Sequence, residues 1–364
     1  MITTLQFIWY FLACALMATT LALVGLDLGT GIVLGLLGKN GDERALLVRT
    51  ISPHWGGHEV WLISFVSALF AAFPEWYSSL LSGLQTYFLL LIFALVLRVV
   101  TIEWRGQVSA RIGSLLDWVH TACSLVIVFC FAIIFASQLR GLPVEVINPR
   151  AGAIADPSMV DPNGPANPDL VAYVHSVTGS PWAAINLFSL LGAVALVVYL
   201  AYVGAVWALQ RITFECEPQE RAFTLRSLLA PFAGLPLLAW AVWGQLAYGR
   251  SAFGWVLIVL LGGALALQFV FRGRILALHV SLATAPLALV TAWVYVAAYP
   301  VLMPSTVNKA YDLTVNQAAS SGPALAVLVG AAALGIPLAG ALTWFSHRTL
   351  GSRVDFTAIA TPFE

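Results

Sequence analysis

The stretch PHWGGHEVWLISFVSALFAAFPEW, from Pro53 to Trp76, decides how the chain is read. A membrane span begins inside it, yet it opens on His54, Trp55, His58, Glu59 and Trp61. Charge is scarce elsewhere: charged residues are 9% of the chain and hydrophobic ones 60%. An ionisable side chain in hydrocarbon is costly unless it is paired or functional. A glutamate and two histidines at the mouth of an apolar helix therefore need a physical reason.

Outward from this stretch the chain alternates apolar runs with short polar joints. Mean hydropathy is +0.90, and the runs are long enough to cross hydrocarbon. Nine spans are expected, over residues 5–37, 57–73, 76–100, 114–138, 181–210, 222–247, 253–271, 275–300 and 323–346. The runs lack the period-two alternation of barrel strands, and backbone polar groups in lipid must be satisfied internally. The fold class is therefore an all-α polytopic membrane protein. The first run lacks a basic flank and is too long for a cleaved leader, so it is expected to remain as a span. Net charge is zero, with 17 basic and 17 acidic residues, which gives no footprint for nucleic acid.

With nine spans the termini lie on opposite faces. One face then collects thirteen Lys and Arg, from Lys39, Arg44 and Arg49 through Arg272 and Arg274 to Arg348 and Arg353. The other holds Arg140, Arg150, Arg250 and Lys309. The positive-inside rule places the N-terminus outside and the C-terminus in the cytoplasm. Asp27, in GLDLGTG, lies about 15 Å from the cytoplasmic end of the first span at 1.5 Å per residue. An acid at such depth costs roughly 2.5–3.5 kcal/mol on insertion scales. Asp27, Gly31 and Gly35 share one helix stripe, so Asp27 is expected to face protein rather than lipid. It reads equally as an interhelical hydrogen-bond partner or a proton carrier. DERALLVRT, residues 42–50, suits a short interfacial helix.

These motifs resemble subunit II of the cytochrome bd quinol oxidases. That family carries a first-span pattern like DGFDLGVG, then GRxxxERRxxxxTIxPxWDGNEVWLI and FAAxPxWY. This chain reads GLDLGTG (25–31), GKNGDERALLVRTISPHWGGHEVWLI (38–63) and FAAFPEWY (70–77). The match continues with LRVVTIEWRGQ (97–107), Asp117 and Trp118, and MPSTVNKAYDLTVNQAASS (303–321). The chain departs from the pattern where Val24 and Gly56 replace two carboxylates and His58 replaces an asparagine.

The resemblance implies two four-helix bundles plus one peripheral helix. Chain order suggests a bundle over 1–138, an extracytoplasmic Pro-rich loop over 139–180, and a second bundle with the ninth helix and a cytoplasmic tail over 181–364. It also implies a multi-pass protein of the bacterial cytoplasmic membrane, paired with a subunit I that carries haems b and d and reduces dioxygen with electrons from the quinone pool. A small single-span accessory subunit and a structural quinone or lipid also fit the resemblance. No catalytic or metal-ligating residue is expected in this chain. The six histidines lie in loops or near span ends, and the four cysteines have no ligand spacing. Asp27, Glu59 and His58 are the candidates for proton delivery, and Trp61 for an oxygen route. Arg98, Glu103, Arg105, Asp117 and Trp118 are expected as anchors, pairing or snorkelling at the cytoplasmic face, with Asp117 at a helix start. Glu75 and His175 are expected to be solvated, and Trp76 to sit in an interfacial belt. The competing readings are a secondary transporter with Asp27 and Glu59 as coupling-ion ligands, or a membrane subunit with a purely structural role.

Overall fold

The computed structural model describes residues 2–161, 170, 172–213, 216–271 and 276–356, with backbone only at 276 and 277. Pro162, Pro165, Pro168, Glu215, Arg272 and Arg274 lie outside these. Thirteen helices run in the order α1 (Thr4–Leu37), α2 (Gly41–Ile51), α3 (Trp55–Ala72), α4 (Pro74–Gly83), α5 (Gln85–Trp104), α6 (Ala110–Arg140), α7 (Leu187–Arg211), α8 (Glu217–Leu229), α9 (Gly234–Tyr248), α10 (Phe253–Phe271), α11 (Leu276–Ala298), α12 (Val315–Ala318) and α13 (Gly322–Thr349). Among the described residues seven helices are singly long and apolar enough to cross a membrane, and the count reaches nine if α3 with α4 and α8 with α9 each form one bent span.

The bends have identifiable causes. Pro74 opens α4 after Phe73 leaves helical geometry, and α4 turns 118° from α3. The freed carbonyls of Ala71 and Ala72 accept hydrogen bonds from Ser320, just before α13. The third span consequently begins at Gln85 and not, as expected, at residue 76. The expected sixth span is broken by 42° around Pro231.

α1 is the hub. A capping box between Thr3 and Gln6 starts it, and it packs against α3, α6, α7 and α11. Its closest approach is to α7. A Cβ at Gly29 would run into the Leu200 carbonyl oxygen and the Gly204 amide, so the two backbones meet where neither helix has a side chain. α5 pairs with α6, and α10 with α11. α13 touches α3 and, less, α1, and Leu325 is its one buried residue.

The interfacial helix is α2. Asn40 caps it by accepting from the Glu43 amide at 2.9 Å, and Arg221 of α8 donates to Glu43 at 2.5 Å. On the opposite side residues 139–180 are more than a linker. β1 (Val144–Asn148) pairs antiparallel with β2 (Ala153–Ile154) and β3 (Val174–Val177), and β4 (Val301–Met303) pairs with β5 (Leu313–Thr314). His175 is buried rather than solvated, because its Nδ1 meets Glu75 Oε1 at 2.8 Å. Trp76 is likewise buried, against Tyr10, Phe73 and Tyr295, and not in an outer belt.

Two stability predictions follow from these contacts. Gly204→Leu forces apart the α1–α7 crossing and is expected to abolish most folded protein in fluorescence-detected size exclusion, since overpacking costs about 1–3 kcal/mol even where side chains can shift. Gly340→Ala, with no atom within 4 Å, is expected to be neutral. Burial disfavours the Glu43 carboxylate, but the Lys39 amide, Arg221 and the Asn40 amide outweigh it and hold its carboxyl below the usual range. A depressed folded-state value stabilises above the unfolded one and is lost as pH falls through the folded one. Glu43→Gln should therefore lower the thermal midpoint at neutral pH, with the gap closing as pH drops below 4.5.

Candidate functional site

Three helices bring charge together beneath the polar mouth of α3. α1 supplies Asp27, α3 supplies His58 and Glu59, and α5 supplies Arg98. Asp27 and Arg98 are fully buried and His58 nearly so. Asp27 Oδ2 lies 2.9 Å from His58 Nδ1. Arg98 Nη1 lies 3.5 Å from Glu59 Oε1, and its Nη2 lies 3.9 Å from Asp27 Oδ2. Of the two expected outcomes, pairing or snorkelling, Arg98 takes pairing. It faces inward because two carboxyl groups on neighbouring helices attract it more strongly than the interface can.

The cluster is loosely satisfied. Asp27 Oδ1, Glu59 Oε1 and the Nε, Nη1 and Nη2 atoms of Arg98 have no hydrogen-bond partner among the described residues. Buried polar atoms in such sets are normally bridged by internal water. Two carboxyl groups against one guanidinium also leave one negative charge in excess when both acids are ionised.

A second group joins it from the polar end of the bundle. His58 Nε2 lies 2.9 Å from His347 Nε2, near the end of α13. The rings of His54 and His347 stack at 4.7 Å, and those of His58 and His347 at 5.1 Å. His54 Nδ1 meets Ser346 Oγ at 3.2 Å, and its Nε2 accepts from Arg211. Arg211 lies over the Trp207 ring and donates to the Leu350 carbonyl at 3.0 Å. Trp61, also buried, donates to Thr343 Oγ1 at 3.1 Å, so it faces α13.

The remaining anticipated residues sit apart. Asp117 lies inside α6 rather than at its start, and it pairs with Arg105, at 2.6 and 3.2 Å, and with Arg44, at 3.9 Å. Glu103 accepts from Trp55 Nε1 at 3.0 Å, and Trp118 is 70% exposed. The sequence reading missed His347, His54 and Arg211 as neighbours of His58, and took Arg98 for an anchor. An arginine inside the apolar run LVLRVV was the available signal for Arg98. His347 offered none, because its position depends on where α13 docks.

His54, His58 and His120 do not fit axial ligation of a haem. His54 and His58 have both ring nitrogens engaged. His120 Nδ1 meets Thr101 Oγ1 at 2.8 Å, and its Nε2 abuts Gly31 with no room for a macrocycle. Three cavities, of about 250, 280 and 480 Å³, have no histidine in their walls.

Comparison with known proteins gives a consistent answer. The family described as cytochrome bd terminal oxidase subunit II matches residues 5–350. The chain belongs to that family. Subunit 2 of the cytochrome bd ubiquinol oxidase of Bacillus subtilis is 28% identical over 97% of each chain. Subunit 2 of the cytochrome bd-I ubiquinol oxidase of Escherichia coli is 34% identical over 39% of this chain and 38% of that protein. A solved structure of bd oxidase from Geobacillus thermodenitrificans shares the fold, with a TM-score of 0.67 at 15% identity over 96% of this chain and 100% of that one. This subunit II is thus a multi-pass component of a bacterial respiratory oxidoreductase that carries haems and works with subunit I. Membership sets aside the secondary-transporter reading.

Removing one member of a buried ion cluster costs about 3–5 kcal/mol, because it strands the others. Arg98→Leu is expected to lower the thermal midpoint of the purified oxidase sharply, and adding Asp27→Asn should recover part of the loss. A midpoint unchanged by Arg98→Leu would show that the cluster does not hold these helices together.

Proposed function

We propose that this subunit II binds no haem, scaffolds the haem-bearing subunit I, and delivers protons and dioxygen to it. The observation that carries the reading is the set of buried Asp27 and Arg98 with half-buried Glu59, two carboxyl groups against one guanidinium, joined to the polar end of the bundle by His58. Engagement of both ring nitrogens of His54 and of His58 in hydrogen bonds supports the haem-free part. Subunit I then holds haems b and d, and its quinol electrons reduce dioxygen to water. The protons for that reduction come from the cytoplasm through His58, Glu59 and Asp27, which fits the positive-inside placing of the C-terminus in the cytoplasm and the N-terminus outside.

Trp61 is proposed to flank the oxygen route. Support comes from an apolar groove of about 480 Å³ along α3 and α13, lined by Val60 and Ser64 of the helix that carries Trp61. Dioxygen is apolar and partitions into such space. The same groove has room for a lipid or a quinone tail. A division into bundles of α1, α3, α5, α6 and of α7 to α11, with α13 peripheral, follows chain order, while α1 joins the two by packing on α7 and α11 as well as on α3 and α6. Residues 139–180 form the extracytoplasmic unit between them. A small single-span accessory subunit has ample apolar surface to pack on, including exposed faces of α5 and α10.

Glu59→Gln tests the proton role. Quinol oxidation by the purified complex is expected to fall ~10-fold or more, the range in which a single proton-transfer group usually acts, while the haem absorption bands stay unchanged. Wild-type turnover with wild-type proton uptake would leave the subunit a purely structural part. Loss of the haem bands themselves would instead point to failed assembly, which a milder Glu59→Asp substitution separates.

A further inference from the structure

The contact between His58 and His347 has a direction that the proton-delivery reading leaves unused. A carboxylate only accepts hydrogen bonds. With Asp27 ionised, the proton between it and His58 therefore sits on His58 Nδ1. In the state with His58 neutral its single N–H is on Nδ1, so its Nε2 is a bare acceptor and His347 Nε2 donates to it across 2.9 Å. Every hydrogen bond in the series His347, His58, Asp27 points inward.

His54 stands outside this series although it stacks on both rings. Its Nε2 meets the Arg211 guanidinium, which only donates, so His54 is neutral, with its proton on Nδ1 toward Ser346. The same guanidinium prevents the three histidines from sharing a metal ion, and no group of three or more potential ligands is placed for one among the described residues. The groups facing His347 are thus His58 on α3, His54 just before it, and Arg211 on α7, with Asp27 of α1 one ring further in.

Exposure grades in the same direction. His347 is partly exposed, in the last turns of α13, whereas His58 is 1% exposed and Asp27 is fully buried. The pair is also not needed to fasten α13. Thr343 holds Trp61, Ser346 holds His54, the Leu350 carbonyl accepts from Arg211, and the Val354 amide donates to the Arg211 carbonyl at 2.7 Å.

We infer that His347 is the outermost member of a two-imidazole proton relay, taking protons from water at the end of α13 and passing them through His58 to Asp27. The inference rests on the proton-delivery role proposed above. A proton from water binds His347 Nδ1. The N–H at His347 Nε2 passes to His58 Nε2, and the N–H at His58 Nδ1 passes to Asp27 Oδ2. One proton is taken up and one delivered. Each ring is left neutral with its proton on the opposite nitrogen, and reorientation of the two rings restores the starting state. The ninth span, otherwise the least buried helix, thereby becomes part of the proton path.

The test uses the complete oxidase, with its partner subunit, in proteoliposomes, and measures quinol-driven oxygen consumption together with dye-detected proton uptake. His347→Ala is expected to lower both ~10-fold or more with haem absorption unchanged, and added imidazole should restore much of the rate. His347→Gln preserves the shape and a hydrogen bond but cannot relay, so it should be as slow. Arg348→Gln, one residue on and stacked on Trp344, is expected to behave as wild type. Wild-type rates in His347→Gln would overturn the relay. So would a loss in His347→Ala that glutamine repairs and imidazole does not, since that pattern is structural. Asp27→Asn measured in parallel separates the two levels. If it is slow while His347→Gln is not, only the role of His347 fails. If neither is slow, proton delivery through this subunit fails with it.

Discussion

One guanidinium held among two carboxyl groups, out of reach of bulk water, is the constraint around which this subunit is arranged. A lone charge in hydrocarbon is costly, so Arg98 and the two carboxyl groups beside it depend on one another. Each sits on a different helix. α1, α3 and α5 must therefore meet at one depth for any of the three to be tolerated. The distances of 3.5 and 3.9 Å are those of ion pairs with room for water, not of closed hydrogen bonds. A tighter cluster would be more stable and less able to take up or release a proton.

The surrounding structure supports this arrangement from two sides. At Gly29 and Gly204 the backbones of α1 and α7 touch, which fixes α1 with no polar contact in lipid. At the polar end, α13 is pinned by Trp61, His54 and Arg211, and this brings His347 onto His58. The family pattern has a carboxylate where this chain has Gly56 and an asparagine where it has His58. With no carboxylate at Gly56, histidines on α3 and α13 occupy the approach to Asp27. The polar mouth of α3 is thus one half of a site completed by the last span.

Much of this was legible in the sequence, and the limits are physical. Hydropathy located the spans, because lipid requires long apolar helices. Glycine spacing on α1 indicated that Asp27 faces protein, since Gly31 and Asp27 share a stripe. DERALLVRT read as an interfacial helix, and α2 spans Gly41–Ile51. Periodicity speaks only of one helix at a time, however. It cannot say that Arg98 turns inward, because that depends on acids far away in sequence. His347 was invisible for the same reason. His175 was misjudged because a proline-rich stretch looks solvated, whereas pairing of β1 with β3 carries His175 onto Glu75 at the start of α4.

The central claim is that the cluster of Asp27, Glu59 and Arg98 holds one exchangeable proton during turnover. Reaction-induced infrared difference spectroscopy of the assembled oxidase reads this directly. The account predicts a protonated-carboxyl band that changes as the enzyme is reduced and reoxidised, shifts in deuterated water, and is lost or moved in both Asp27→Asn and Glu59→Gln. A carboxyl region identical in the wild type and the two variants would contradict it.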